Sequence, residues 1–291
     1  MTMALTKHSS RRRGRAVLRF DRTALLILPL IAFIALFYLT PVFSMLLRSL
    51  ESGEGWSLSA FRAVLSDGAF WRVMQITMTI SLITTVLCLL LGYPLAYFIA
   101  RTRTSVANIL LLLVLMPFWT SILVRTYAWM VLLGRRGVIN DTLVNIGLLE
   151  RPMQLLNTRT AVYIAMVHVL LPFVVLPLYA TLKSFDWRLV DAAKGLGAGP
   201  FASFRQVTLP LSMPGVAAGA VLVFTLSIGF YITPALVGGP RDMMIAQLIE
   251  TQVRGFNWNI AAAMAVVVLA AVLVICALFA RIVALNPLMR R

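Results

Sequence analysis

Six times along this 291-residue chain the charges stop for long enough to cross a bilayer. Arg22 to Arg48 encloses 25 uncharged residues, Arg72 to Arg101 encloses 28, and Arg159 to Lys183 encloses 23. Arg205 to Arg241 encloses 35, trimmed at its start by Pro210 and Pro214, and Arg254 to Arg281 encloses 26. A further run starts near Val106 and stays uncharged to Val124. A spanning helix needs about 20 apolar residues, because the hydrocarbon core is about 30 Å thick. Backbone amides find no water there, and a helix satisfies them all within one segment. Only 12% of residues are charged, half of the roughly 25% usual in soluble domains. The fold class expected is all-α membrane protein, with spans at about 23–47, 73–100, 106–133, 160–182, 214–237 and 257–280. Short loops between six spans use up the chain and leave no room for a separate soluble catalytic domain.

The net charge of +16 points first to nucleic acid, but its placement argues otherwise. Seven of the 26 basic residues precede the first span: Lys7, Arg11, Arg12, Arg13, Arg15, Arg19 and Arg22. Such a cluster beside a hydrophobic span orients it and binds anionic headgroups. It places residues 1–22 in the cytoplasm, and six spans return the tail, 287–291, to the same side. The outer loops then hold seven of the ten acidic residues. The first apolar run is too long for a signal-peptide core and no cleavage pattern follows it, so it reads as a retained helix. Cys88 and Cys276 lie inside apolar runs and read as packing residues, with no disulfide or metal-ligand spacing.

Residues 183–212 form the longest cytoplasmic loop. Leu189, Ala192, Ala193 and Leu196 fall at i, i+3, i+4 and i+7, one face of a short helix. Gly197 and Gly199 break it, and Pro200 suits the first position of a second helix. Phe201, Phe204 and Val207 repeat at three-residue spacing until Pro210 and Pro214, which are expected to stop that helix and start the next span. Two short hinged helices carrying apolar groups at a membrane surface fit either a docking site for another protein or an interfacial helix resting on lipid.

The loop resembles the EAA loop of ATP-binding-cassette importer permeases. That pattern is Glu-Ala-Ala, three residues, Gly, nine residues, an aliphatic residue, any residue, Leu-Pro. Here Asp191, Ala192 and Ala193 open it with Asp in place of Glu, Gly197 stands at the glycine, and Val207, Leu209 and Pro210 close it. "PFWTSILVRTYAWMVLLGRRGVIN" (Pro117 to Asn140) and "FTLSIGFYITPALVGGP" (Phe224 to Pro240) are similar to the permeases for spermidine and putrescine. Relatives for opines, phosphonates and ferric iron share much of this text. The resemblance implies the type I importer permease fold and a coupling helix that docks on a cytoplasmic ATPase. It implies as partners that ATPase, a second permease subunit, an outer solute-binding protein and lipid, in a bacterial inner membrane. ATP and magnesium would belong to the ATPase, with no cofactor on this chain. The shorter Asp191 keeps the charge of the motif's Glu and reduces its reach.

Polar and aromatic groups near the membrane are the candidates for a pathway or gate, since they are costly there. Arg125 follows Pro117, expected to kink the third helix, and either snorkels, pairs with an acid or braces the outer gate region. Trp119, Tyr127 and Trp129 offer π faces to an amine, or form an aromatic belt at the outer interface. Phe230 and Tyr231, between Gly229 and Pro234, form a gate or simply pack. His168 reads as a buried, hydrogen-bonded side chain before it reads as a proton relay. Asp242 and Glu250 are solvated charges, or meet a binding protein or an approaching cation. Walker, HExxH and GxSxG motifs are absent, and "GLGAGP" lacks the dinucleotide-binding spacing and a preceding strand. A stand-alone secondary transporter or channel would carry ionisable residues at mid-span, and a membrane enzyme would carry convergent catalytic groups. No Asp, Glu or Lys lies in a span core.

Overall fold

The computed structural model describes residues 29–52 and 55–285. The basic segment 1–22, the tail 287–291 and the start of the first expected span lie outside the described residues. Helix α1 (Pro29–Arg48) has no buried residue in its apolar window. A two-stranded antiparallel hairpin, β1 (Glu51–Ser52) and β2 (Gly55–Trp56), pairs Glu51 with Trp56. Then come α2 (Ser59–Ser66), α3 (Gly68–Arg101), α4 (Thr104–Leu115), α5 (Ile122–Leu133) and α6 (Val138–Asn145). They are followed by α7 (Arg159–Lys183) and α8 (Arg188–Gly195). Helix α9 (Pro200–Ile228) precedes α10 (Ile232–Val237), α11 (Ile245–Arg254) and α12 (Trp258–Leu285). Among the described residues, five helices are long and apolar enough to cross a membrane: α1, α3, α7, α9 and α12 up to Phe279. A sixth is available if α4 and the segment Ile122–Asn145 together form one broken span.

Within residues 48–291, helices α3, α7 and α9 pack on one another. Their contact is close because glycine stands where side chains would collide. A Cβ at Gly219 of α9 would lie 3.1 Å from Val174 Cα, and one at Gly215 would lie 2.6 Å from Thr181 Oγ1. Around this trio the core divides into three clusters. One joins Phe70 and Met74 at the start of α3 to Ile245 and Met264 of α11 and α12. A second gathers Ile80, Leu133, Met166, Leu170, Val223 and Val237. The third joins Ile99 at the end of α3 to Leu178 and Leu182 at the end of α7. The outward faces are apolar: Leu82, Leu90, Leu112 and Leu273 are all exposed. Such a surface suits lipid or another apolar helix.

Polar side chains cap the long helices. Asp67 accepts from the Ala69 amide at the start of α3, at 2.8 Å, and Thr158 accepts from Ala161 at the start of α7, at 3.3 Å. These bonds satisfy amides that a helix N-terminus leaves open.

Two features differ from the sequence expectation. The third span is not a kinked helix: it tightens into a 3-10 turn at Met116–Trp119, leaves the helix at Thr120 and Ser121, and the parts Thr104–Trp119 and Ile122–Asn145 are bent by 97°. Pro117 falls inside that turn, where its missing amide and fixed φ favour a break over a mild kink. Secondly, Pro210 and Pro214 do not stop the helix beginning at Pro200, which runs on as α9. A π turn over Phe204–Thr208 makes this possible, with the Leu209 amide donating to the Phe204 carbonyl, five residues back. The wider turn absorbs a carbonyl that Pro210 cannot bond. The same device stands ahead of Pro41 in α1, where the Thr40 amide donates to Ala35 across a π turn at Ala35–Leu39.

Candidate coupling segment and pathway residues

The segment after α7 is built by a helix stop. In α8 the amide of Gly197 donates to the Lys194 carbonyl at 2.9 Å, and that of Ala198 to the Ala193 carbonyl at 3.0 Å. This is a Schellman cap, which needs a left-handed residue after the last turn. Gly197 takes that role with φ +89°. A side chain there would meet nothing within 4 Å of its Cβ, so the backbone demands glycine and local packing does not. Gly199 then precedes α9, with Pro200 at its first turn, and the Ser203 amide donates to the Gly199 carbonyl.

The motif residues divide by exposure. Asp191 and Ala192 are exposed, Ala193 is half-buried, and Val190 turns inward. Leu196 is 90% exposed and Phe201 74% exposed, flanking Gly197. Val207, Leu209 and Pro210 are half-buried along the start of α9. Two apolar side chains held in the open on either side of a glycine turn make a ready contact surface.

Aromatic packing fastens this segment to the end of α3. Trp187 packs edge-on against Tyr97, with ring centroids 5.6 Å apart, and Phe204 packs against Tyr93 at the same separation. The Arg101 guanidinium lies 4.8 Å over the Trp187 ring, and its Nη1 donates to Tyr97 Oη at 3.1 Å. Tyr93 Oη and Ser212 Oγ hydrogen-bond at 2.9 Å, tying α3 to α9. Sequence reasoning passed over this clamp. Its members lie far apart in the chain, and the aromatic-plus-arginine composition at a span end was the only signal.

The expected pathway residues do not converge as a set. Arg125 and Phe230 line one cavity of about 170 Å³ with Phe118, Ile122, Leu170 and Phe173. Arg125 Nε is buried there without a hydrogen-bond partner, so the expected acid is not supplied by the described residues. Trp129 Nε1 donates to His168 Nδ1 at 3.2 Å. His168 is hydrogen-bonded as expected, but it stands on the exposed side of α7 and is not buried. Trp119 and Tyr127 face outward, 70% and 55% exposed, and Tyr231 is half-buried in the break between α9 and α10. Asp242, expected to be solvated, is buried: it accepts from Arg159 Nε at 2.8 Å and from the Gly239 amide. Glu250 pairs with Arg254 one turn along α11.

Residues 55–291 match the family described as binding-protein-dependent transport system inner membrane component. The chain belongs to that family. This permease is 35% identical over 237 residues to the spermidine/putrescine transport system permease protein PotB of Haemophilus influenzae, covering 79% of this chain and 83% of that one. It is 37% identical over 188 residues to PotB of Escherichia coli, covering 65% and 68%. It is also 31% identical over 166 residues to the molybdenum transport system permease protein ModB of Azotobacter vinelandii, covering 57% and 72%. Among solved structures, a bacterial alginate ABC transporter in complex with its alginate-bound periplasmic protein matches with TM-score 0.71 at 20% identity, covering 92% of the permease and 95% of that chain. The likeness to that structure establishes the fold, that of an ABC importer permease. The protein is a multi-pass membrane transport subunit, with ATP hydrolysis left to a separate subunit.

Proposed function

We propose that this chain is one of two permease subunits of a polyamine importer of the bacterial inner membrane, with both termini cytoplasmic. Residues 186–208 are the coupling segment, gripped by a cytoplasmic ATPase through Asp191, Leu196, Gly197 and Phe201. A solute-binding protein delivers spermidine or putrescine to the outer face, and the two permease subunits form the path between them. ATP-driven closure of the ATPase draws the segments together. The Trp187–Tyr97–Arg101 clamp passes that displacement to α3, and the unbroken helix through Pro210 passes it to α9. A ligand-driven change needs contacts that differ between the two states, and this segment supplies them. The path side of the assembly includes Arg125, Trp129 and Phe230, with Trp119, Tyr127 and Tyr231 on surfaces open to the second subunit or to lipid.

The observation that carries the reading is the Schellman turn at Gly197 presenting Leu196 and Phe201 in the open. Replacing Gly197 with Trp in the assembled transporter tests it. ATP-driven uptake is expected to fall at least about tenfold, the loss that about 1.4 kcal/mol of lost contact would give. Uptake at the wild-type rate would contradict the coupling role.

A further inference from the structure

Beside the coupling segment, a groove of about 590 Å³ runs along α3 from Val86 to Tyr97, closed on one side by Phe204. That is about 16 Å of helix at 1.5 Å per residue. Leu89, Leu90 and Pro94 complete its lining, so its walls are hydrocarbon except for the two tyrosine hydroxyls. Leu90 is 64% exposed.

At the end of the groove the chemistry changes abruptly. Arg101, one turn beyond Tyr97, is held by the Tyr97 hydroxyl and over the Trp187 ring. Among the described residues no carboxylate pairs with it. The segment ends nearby carry more cations than carboxylates: Arg103, Lys183, Arg188 and Arg205 are exposed, against Asp186 and Asp191. Tyr and Trp beside an arginine at a helix end is the composition of a headgroup layer. An apolar slot the length of part of an acyl chain, ending at a fixed and unpaired cation, has the charge pattern of an anionic amphiphile.

We propose that this groove binds an anionic phospholipid, with one acyl chain along α3 and the phosphate on the Arg101 guanidinium. The bound lipid fills the space between α3 and the start of α9. It thereby supports Tyr93, Tyr97 and Phe204, the rings that join the coupling segment to the bundle. An acidic patch on a protein partner would explain Arg101, but it would leave the hydrocarbon slot unfilled.

The test uses the assembled transporter in nanodiscs of mixed phosphatidylglycerol and phosphatidylcholine, with the lipid that survives detergent extraction counted by native mass spectrometry. The wild type is expected to retain phosphatidylglycerol in preference to phosphatidylcholine. Arg101→Gln should lower the retained phosphatidylglycerol about fivefold, the effect of one basic residue at a charged surface. Arg101→Lys should keep most of it. Val86→Trp, which fills the slot and leaves the cation, should lower retention as well. Equal retention of both lipids by the wild type, or undiminished phosphatidylglycerol in Arg101→Gln, would overturn the proposal. So would a disulfide between Cys introduced at Leu90 and the second permease subunit, since protein would then cover the groove.

Discussion

At Gly197 the backbone, and not a neighbouring side chain, dictates the residue. The Schellman cap needs a positive φ there, and the space around it is open. Asn tolerates the left-handed region, whereas a β-branched residue does not. Gly197→Asn is therefore expected to keep the folded yield and thermal midpoint of wild type, while Gly197→Val should lower the midpoint by a strain of about 1–2 kcal/mol. A thermal melt of the purified chain in detergent separates the two. Asp242 works through charge. It is 7% exposed and pairs with Arg159, 83 residues away, where the loop between α10 and α11 meets the start of α7. Arg159 is partly open to solvent, so the pair is worth less than a fully enclosed one. Asp242→Asn should cost at most about 1.5–3 kcal/mol, the range for a hydrogen bond to a charged group, and read out as a lower thermal midpoint. No change would mean that the ion pair is decorative. This pairing was not legible in the sequence, because an acid in an outer loop looks solvated until its long-range partner is known.

At the scale of elements, the long helices were legible because charge is expensive in hydrocarbon and its absence marks them. The Gly197 stop and the Pro200 start were legible for a similar reason, each being a strong local preference. What the sequence hid were the places where local preference loses. Pro210 reads as a breaker, yet a π turn carries α9 through it. Pro117 reads as a kink, yet the helix breaks outright. The aromatic clamp on α3 joins residues about ninety apart, beyond any local pattern. The packing of α7 on α9 gives a direct test. An added Cβ at Gly219 would stand 3.1 Å from the Val174 backbone, which cannot rotate away. Gly219→Leu should therefore cost at least about 1–3 kcal/mol and cut the folded yield. Gly68→Ala, with nothing within 4 Å of its Cβ, should leave the yield unchanged.

On the scale of the whole molecule, the chain is a transport subunit that needs others. Its apolar flanks are open, Arg125 Nε lacks a partner among the described residues, and Leu196 and Phe201 stand free on the turn where a motor would hold them. Family membership was legible from one motif with fixed spacing and two further stretches, Pro117 to Asn140 and Phe224 to Pro240. The assignment of polyamine as solute rests on relatives, because the expected aromatic residues do not gather into one amine-binding pocket. In the proposed mechanism an external ATPase drives this permease through residues 186–208. The direct measurement is uptake of labelled spermidine into proteoliposomes holding both permease subunits and the binding protein, with and without the ATPase and ATP. Uptake is expected only when ATPase and ATP are both present. Equal uptake by the permease subunits alone would contradict that mechanism.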